Sequence, residues 1–185
     1  GYSIATKLKS RVAGLEQSLQ NVGDAKSVLD IAESSFDTIV DGLIEMKGLA
    51  TQAANDTLGD TERGYIGDQI KALGDDINEI ANQTVYMDYD LLNGADNSGS
   101  VTLTFQVGER AEDTITATVD AVNVGELFAG STSGTANLGA TSTAGGATSG
   151  GAAITATSAT AGTQGTLSFS STATSADYRS FIAAV

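Results

Sequence analysis

The stretch "IGDQIKALGDDINEI", residues 66–80, sets Ile66, Ile70, Leu73, Ile77 and Ile80 in a four-three-four-three rhythm. Side chains at that spacing return to one side of a helix and form a heptad seam, here β-branched at nearly every core position. A seam of this kind needs a second helix to pack against, and the chain upstream supplies one. From Ile4 to about Asn55 the apolar residues Ile4, Leu8, Val12, Leu15, Leu19, Val22, Leu29, Phe36, Val40, Leu43 and Ala50 recur at helical spacing. A second stripe of Val28, Ile31, Ile39, Met46, Leu49 and Ala53 runs beside the first. The apolar face is therefore wider than a two-stranded coiled coil uses, and the helix is expected to touch at least two neighbours. At 1.5 Å per residue such a helix is roughly 75 Å long, a rod more than a globular element.

Between the two helices lies "GLATQAANDTLGD", residues 48–60, which carries no reactive group. Its alanines let the end of the first helix pack closely, and "NDTLGD" turns the chain so that the second helix folds back. Thr57 or Asp60 is the expected N-cap, each with an oxygen for an orphan N–H. Glycines recur through both helices at positions 14, 23, 42, 48, 64, 67 and 74. Each costs about 1 kcal/mol against Ala, so neighbouring chains are expected to approach closely at some of them.

After residue 100 the period changes to two. Val101, Leu103, Phe105 and Val107 alternate with polar residues, "GERAED" turns the chain, and Ile115, Ala117 and Val119 alternate in return. This pattern predicts a β-hairpin whose apolar face covers the helices. From Gly130 to about Ser175 the chain is nearly all Ala, Gly, Ser and Thr, with Leu138, Ile154, Leu167 and Phe169 as sparse anchors. That composition predicts short Thr-rich strands or irregular chain in an exposed outer module. "SADYRSFIAAV" then resumes helical character with Ser175 as expected N-cap and Asp177 near the positive helix end. The fold class expected is α+β: a long α-helical hairpin plus a β-hairpin, with a small β-rich or irregular outer domain. The divisions fall at residues 1–128, 129–174 and 175–185.

Composition excludes several function classes. The 185 residues contain 9 Lys plus Arg against 23 Asp plus Glu, a formal net charge of −14, so nucleic acid and anionic membrane surfaces are expected to be poor partners. No apolar run reaches the roughly 18 residues that cross a bilayer. The chain has no Cys and no His, which removes thiolate chemistry, the commonest general base and the commonest zinc ligand. Ser, Thr, Lys and carboxylates occur without spacing that pairs them, so no catalytic residue and no cofactor is expected. Asp88, Asp90, Asn93 and Asp96 bring together oxygens that a hard cation prefers, but their spacing fits no EF-hand loop and suits Asx turns better. Asn55-Asp56-Thr57 and Asn82-Gln83-Thr84 both match the N-glycosylation pattern. The chain opens within helical periodicity and stops on "SFIAAV", and so reads as a piece of a longer protein.

In this order, "ATKLKSRVAGLEQSLQNVGDAKSVLDIAESSFDTI", "LATQAAND", "IGDQIKALGDDINEIANQT", "FQVG" and "DTITATV" resemble the N-terminal half of the rod-like core of bacterial flagellins. The resemblance covers about residues 3–120 and lies in the ordered series, since no single motif is specific. It departs at Tyr86-Met87-Asp88, where the family usually has Phe-Asn-Gly, and residues 130–175 match nothing in it. What it implies is a subunit of an extracellular, self-assembling filament used for motility, with other copies of itself as partners. The inner-tube terminal helices lie outside this stretch, so the stretch alone is expected to stay monomeric. The alternatives to that reading are a hook-filament junction protein, which shares the helical core, or, from a different class, a secreted adhesin or glycan-bearing binding module that uses the outer domain. In the family the end of the first helix and the facing part of the second carry the surface recognised by Toll-like receptor 5. Carried over without gaps, the contacting Arg falls on Glu45, the Leu on Leu49 and the Glu on Gln69. Only the Leu is kept, and reversing a charge at such a contact adds repulsion, so weak recognition is expected.

Overall fold

The computed structural model of the chain describes residues 1–87, 89–94, 99–129, 135–139, 143–144, 147–148, 153–159 and 164–185. Two antiparallel helices dominate it: α1, Tyr2–Ala53, and α2, Asp60–Gln83. With 52 residues against 24, α1 outruns its partner by more than half its length. The length difference decides which apolar stripe is covered. The buried side of α1 runs through Val28, Ala32, Ile39, Met46, Ala50 and Ala53, largely the second stripe expected from sequence. Of the first stripe, Ile4, Leu8, Val12, Leu15, Leu19, Val22, Leu29 and Val40 face solvent, while Phe36 and Leu43 are half-buried.

The caps differ from those expected. The N-cap of α2 is Gly59 in extended conformation (φ −75°, ψ 163°), and neither Thr57 nor Asp60 fills that place. Asp60 is instead the first helical residue. It joins Glu62 as an acidic pair at the positive helix end, while the Thr57 hydroxyl donates to Asn55 Oδ1 at 2.9 Å. The third helix, α3, Ser175–Ala184, is capped by Thr174 in place of Ser175. Asp177 sits three residues on, and its carboxylate accepts from the Thr174 N–H at 2.7 Å, which closes a capping box around Thr174.

The strands follow the helices. A two-residue pair, β1 (Val85–Tyr86) and β2 (Tyr89–Asp90), turns through Met87, whose φ of 47° is left-handed. The hairpin β3 (Ser100–Gln106) and β4 (Thr114–Asp120) pairs Val101 with Val119, Leu103 with Ala117 and Phe105 with Ile115. Its apolar face turns toward α1: Val119 is buried, Leu103 and Phe105 half-buried. A π-helical turn, Gly125–Ala129, leads into β5 (Thr135–Asn137), the short pair β6 (Thr143–Ala144) and β7 (Ala147–Thr148), then β8 (Ile154–Thr157) and β9 (Leu167–Phe169). The order β5-β8-β9 makes a three-stranded antiparallel sheet with β8 central.

This sheet does not stand apart from the helices. Ile154, Ala156 and Leu167 are buried in the same cluster as Ile70 and Ile77 of α2, so an exposed outer module does not describe the sparse anchors of the Ala/Gly/Ser/Thr-rich region. Small side chains are the reason. Gly74 of α2 would set a Cβ 3.1 Å from Leu167 Cδ1, and Gly67 would set one 2.5 Å from the Tyr178 hydroxyl and 3.2 Å from Phe169 Cβ. A helix with two such gaps on one side admits a sheet and a third helix at close range. Phe169, Tyr178, Phe181 and Phe128 fill that contact, with Phe169 edge-on to Phe181 at 5.4 Å between ring centres.

Candidate functional site

The two-helix contact is the centre from which the rest is positioned. Ile66, Ile70 and Ile77 are buried, and Leu73 and Ile80 are half-buried on its margin. Ile77 packs against the bare backbone of Gly42, where a Cβ would meet its Cγ1 at 3.6 Å. Among the helical glycines, then, Gly14, Gly42, Gly67 and Gly74 face neighbours from within the chain, while Gly23, Gly48 and Gly64 meet nothing within 4 Å.

Arg63, unmarked by the sequence pattern, closes the open end of this contact. Its side chain is only 7% exposed. Nε donates to the carbonyl of Ala53 (3.0 Å), and Nη2 to those of Asn55 (3.2 Å) and Leu58 (3.0 Å). Nη1 reaches Asp60 Oδ1 at 3.1 Å. The Asn55 carbonyl also accepts from the Leu58 N–H, but those of Ala53 and Leu58 take their donor from Arg63, so one guanidinium caps a helix from the next helix. The Arg63 carbonyl in turn accepts from the Tyr178 hydroxyl at 3.2 Å. Burial pushes the Tyr178 phenol up to about 12, against the attraction of Arg63.

A buried amide network joins the far end. Asn78 of α2 donates to the Gly165 carbonyl (2.8 Å) and accepts from the Val124 N–H (2.8 Å). Gln164 donates to the Asn78 carbonyl and to Asn93 Oδ1, both at 2.8 Å, and Asn123 donates to the same Oδ1 at 3.4 Å. Asn93 thus spends its side-chain oxygen on protein donors, while its Nδ2 is buried without a partner among the described residues. This bears on the acidic set around it: Asn93 offers no free oxygen to a cation, Asp90 is exposed, and Asp88 and Asp96 lie outside the described residues. No group of three metal-ligating side chains occurs among the described residues. Nor, among them, is any helix long and apolar enough to cross a membrane.

The positions carried over as a recognition surface fall near one end of the hairpin. Glu45 and Gln69 are exposed and Leu49 is half-buried against the core. With Ala53 facing Arg63 and Gly42 facing Ile77, the antiparallel helices set Gln69 level with Leu49. Glu45 ends a row of exposed carboxylates at helical spacing, Asp30, Glu33, Asp37, Asp41 and Glu45, with no basic residue between Lys26 and Lys47. At the other end of α1, Arg11 donates to Glu109 at the hairpin tip at 2.8 Å and 3.0 Å. The Arg11 guanidinium holds the Glu109 carboxyl below its usual range. Asn21 fixes the hairpin a second time by donating to the Gln106 carbonyl at 2.7 Å.

Among the described residues, an apolar stripe stands uncovered on the N-terminal half of α1, where Ile4 is 64% and Leu19 73% exposed.

Comparison with known proteins gives this arrangement a context. Residues 1–98 match the family model described as the bacterial flagellin N-terminal helical region. The chain is similar to the flagellar filament 41 kDa core protein of Borreliella burgdorferi, at 28% identity over 70% of this chain and 46% of that protein. It is also similar to polar flagellin F of Vibrio parahaemolyticus, at 30% identity over 62% of this chain and 29% of that protein. A flagellin of Clostridium tyrobutyricum shares 35% identity over 51% of this chain and 25% of its own length. A solved structure of FliC from Burkholderia pseudomallei overlaps 71% of this chain and 54% of its own, with TM-score 0.49 and 25% identity. The chain spans less than half the length of these sequence relatives.

Proposed function

The chain belongs to the bacterial flagellin family, and we propose that it is a structural, non-catalytic subunit of the flagellar filament, outside the cell, that polymerises with copies of itself. The observation that carries this reading is the uncovered stripe Ile4, Leu8, Val12, Leu15 and Leu19 on a 52-residue rod. A contiguous apolar row of this length is a surface awaiting a partner. Covering it gains on the order of 1 kcal/mol per half-exposed side chain, a contribution that adds to what the terminal helices supply in the full-length subunit. The same reading treats residues 1–128 as the core, 129–174 as the variable outer domain seated on α2, and 175–185 as the returning core helix.

The test uses the full-length protein and electron microscopy, with polymerisation compared between the natural sequence and a Leu8→Asp, Leu15→Asp variant. Filaments from the natural sequence and none from the variant are expected. Filaments from both remove the stripe from assembly, and none from either, with native filaments lacking the protein, ends the reading.

For the host receptor, we infer weak recognition. Glu45 presents a carboxylate where the family's contact uses a cation, at the end of a row of carboxylates that strengthens the mismatch. Full activation of Toll-like receptor 5 reporter cells at doses that suffice for a matching flagellin would contradict this. Restored activation by Glu45→Arg with Gln69→Glu would support it.

A further inference from the structure

The pattern Asn-x-Thr occurs at Asn55-Asp56-Thr57 and at Asn82-Gln83-Thr84, and the fold treats the two differently. Asn55 is exposed in the turn between α1 and α2. Its Oδ1 accepts from both the Thr57 N–H (3.1 Å) and the Thr57 hydroxyl (2.9 Å), so the three residues form a closed Asx turn. Its Nδ2 carries no hydrogen bond among the described residues. The backbone beneath is held: the Asn55 N–H reaches the Gln52 carbonyl (3.3 Å), and its carbonyl accepts from Leu58 (3.2 Å) and from buried Arg63. At the second site Asn82 is exposed on α2, but Thr84 is buried, its hydroxyl held between the Ile80 carbonyl (2.7 Å) and Ser35 Oγ (2.8 Å). That hydroxyl is spent inside the core and reaches neither Asn82 nor an outside enzyme.

We propose that Asn55 is an acceptor for N-linked glycosylation, with a nucleoside-diphosphate sugar as donor and a transferase that reads Asn-x-Thr as catalyst. An amide nitrogen is a poor nucleophile because its lone pair is delocalised into the carbonyl. Two donors on Oδ1 fix the plane of the carboxamide and leave Nδ2 as its unbonded group among the described residues, while activation of the nitrogen falls to the transferase's base, which takes an amide proton as the new bond forms. In the transfer, the bond from Asn55 Nδ2 to the anomeric carbon forms and the bond from that carbon to the diphosphate oxygen breaks. The electron pair leaves on the nucleoside diphosphate, and the amide proton passes to the transferase's base and on to water. Asn55 thereby supplies an exposed, oriented nitrogen with its hydroxyl partner already in place.

The test incubates the full chain with an Asn-x-Ser/Thr-specific N-glycosyltransferase and UDP-glucose, read by intact mass and peptide mapping. The natural sequence is run beside Asn55→Gln, Asn82→Gln, Thr57→Val and Thr57→Ser. Addition of one hexose at Asn55, about tenfold faster than at Asn82, is expected for the folded chain. Asn55→Gln and Thr57→Val abolish it, Thr57→Ser and Asn82→Gln keep it, and unfolding in urea before a brief return to assay conditions brings the two sites level. Thermal melting of each variant separates loss of the acceptor from loss of the fold. Equal or faster transfer at Asn82 in the folded chain overturns the proposal, as does a folded chain that refuses sugar at Asn55, whether or not the unfolded chain accepts it.

Discussion

The Nε of Arg63 lies 3.0 Å from the carbonyl oxygen of Ala53, so the first turn of one long helix caps the last residue of the other. The bond joins residues ten apart in sequence and sits inside the protein, where water cannot replace it. Replacing Arg63 by Met takes the guanidinium from the Ala53 and Leu58 carbonyls, while Asn55 keeps its bond from the Leu58 N–H, and is expected to cost about 3 kcal/mol, since each buried unsatisfied group costs about 1–3 kcal/mol. Arg63→Lys, with a point charge in place of the planar fork, should fall between. Chemical denaturation of the three proteins checks the order, and a melting point unchanged in the Met variant would remove Arg63 from the capping role.

The helical glycines divide by what lies opposite them. Gly64 meets nothing within 4 Å, so Gly64→Ala should stabilise α2 by about 1 kcal/mol through helix propensity. Gly67, three residues on, faces the Tyr178 hydroxyl and Phe169. There the same substitution should destabilise by about 1–3 kcal/mol, because the new methyl forces the third helix and β9 outward. Opposite signs in thermal melting are the expected result, and equal signs would mean that α2 is not gripped from this side.

Met87 holds a left-handed φ of 47° and is 77% exposed, so its side chain gains little burial to offset the strain. Met87→Asn or Met87→Gly should raise stability by on the order of 1 kcal/mol, since both residues enter that region at lower cost. A fall in the melting temperature of both variants would show that the side chain makes a contact that matters.

Acid and alkali should act through different contacts. The hydrogen bond from Arg11 lowers Glu109, and bonds from Ser175 and then Arg179 lower Asp56. A carboxyl held low in the folded state adds stability above its ordinary range, and that stability is lost as pH falls through the lowered value. The hairpin tip and the α3 attachment should therefore loosen together in acid. Burial raises Tyr178 to about 12 from its ordinary 10.0. Its contribution is present below the ordinary value and lost as pH rises from there through the raised one. Circular dichroism with tyrosinate absorbance should show the third helix detaching in that alkaline window, and Tyr178→Phe should remove the alkaline step alone.

The sequence by itself determined the rods and the hairpin, because their periods of about 3.5 and 2 are local properties that survive in any surroundings. The turn at residues 54–59 and the ladder of Val101 on Val119 follow from the same reasoning. The caps are Gly59, where the sequence offers Thr57 or Asp60, and Thr174, where it offers Ser175: Gly59 has no side-chain oxygen to mark it, and Thr174 and Ser175 carry equivalent hydroxyls that only the position of Asp177 separates. Tertiary structure alone decided which stripe of α1 is covered, because that depends on where a helix of half its length stops. It alone distinguished Gly67 from Gly64, and brought Asn78 to Gly165 across 87 positions of sequence. It alone seated Leu167, a lone apolar residue in a polar background, against the bare backbone of Gly74, and buried Ile154 in the same core. Periodicity reports a residue's own face, while a buried amide pair or a bare backbone has meaning only once the distant segment that fills it has arrived.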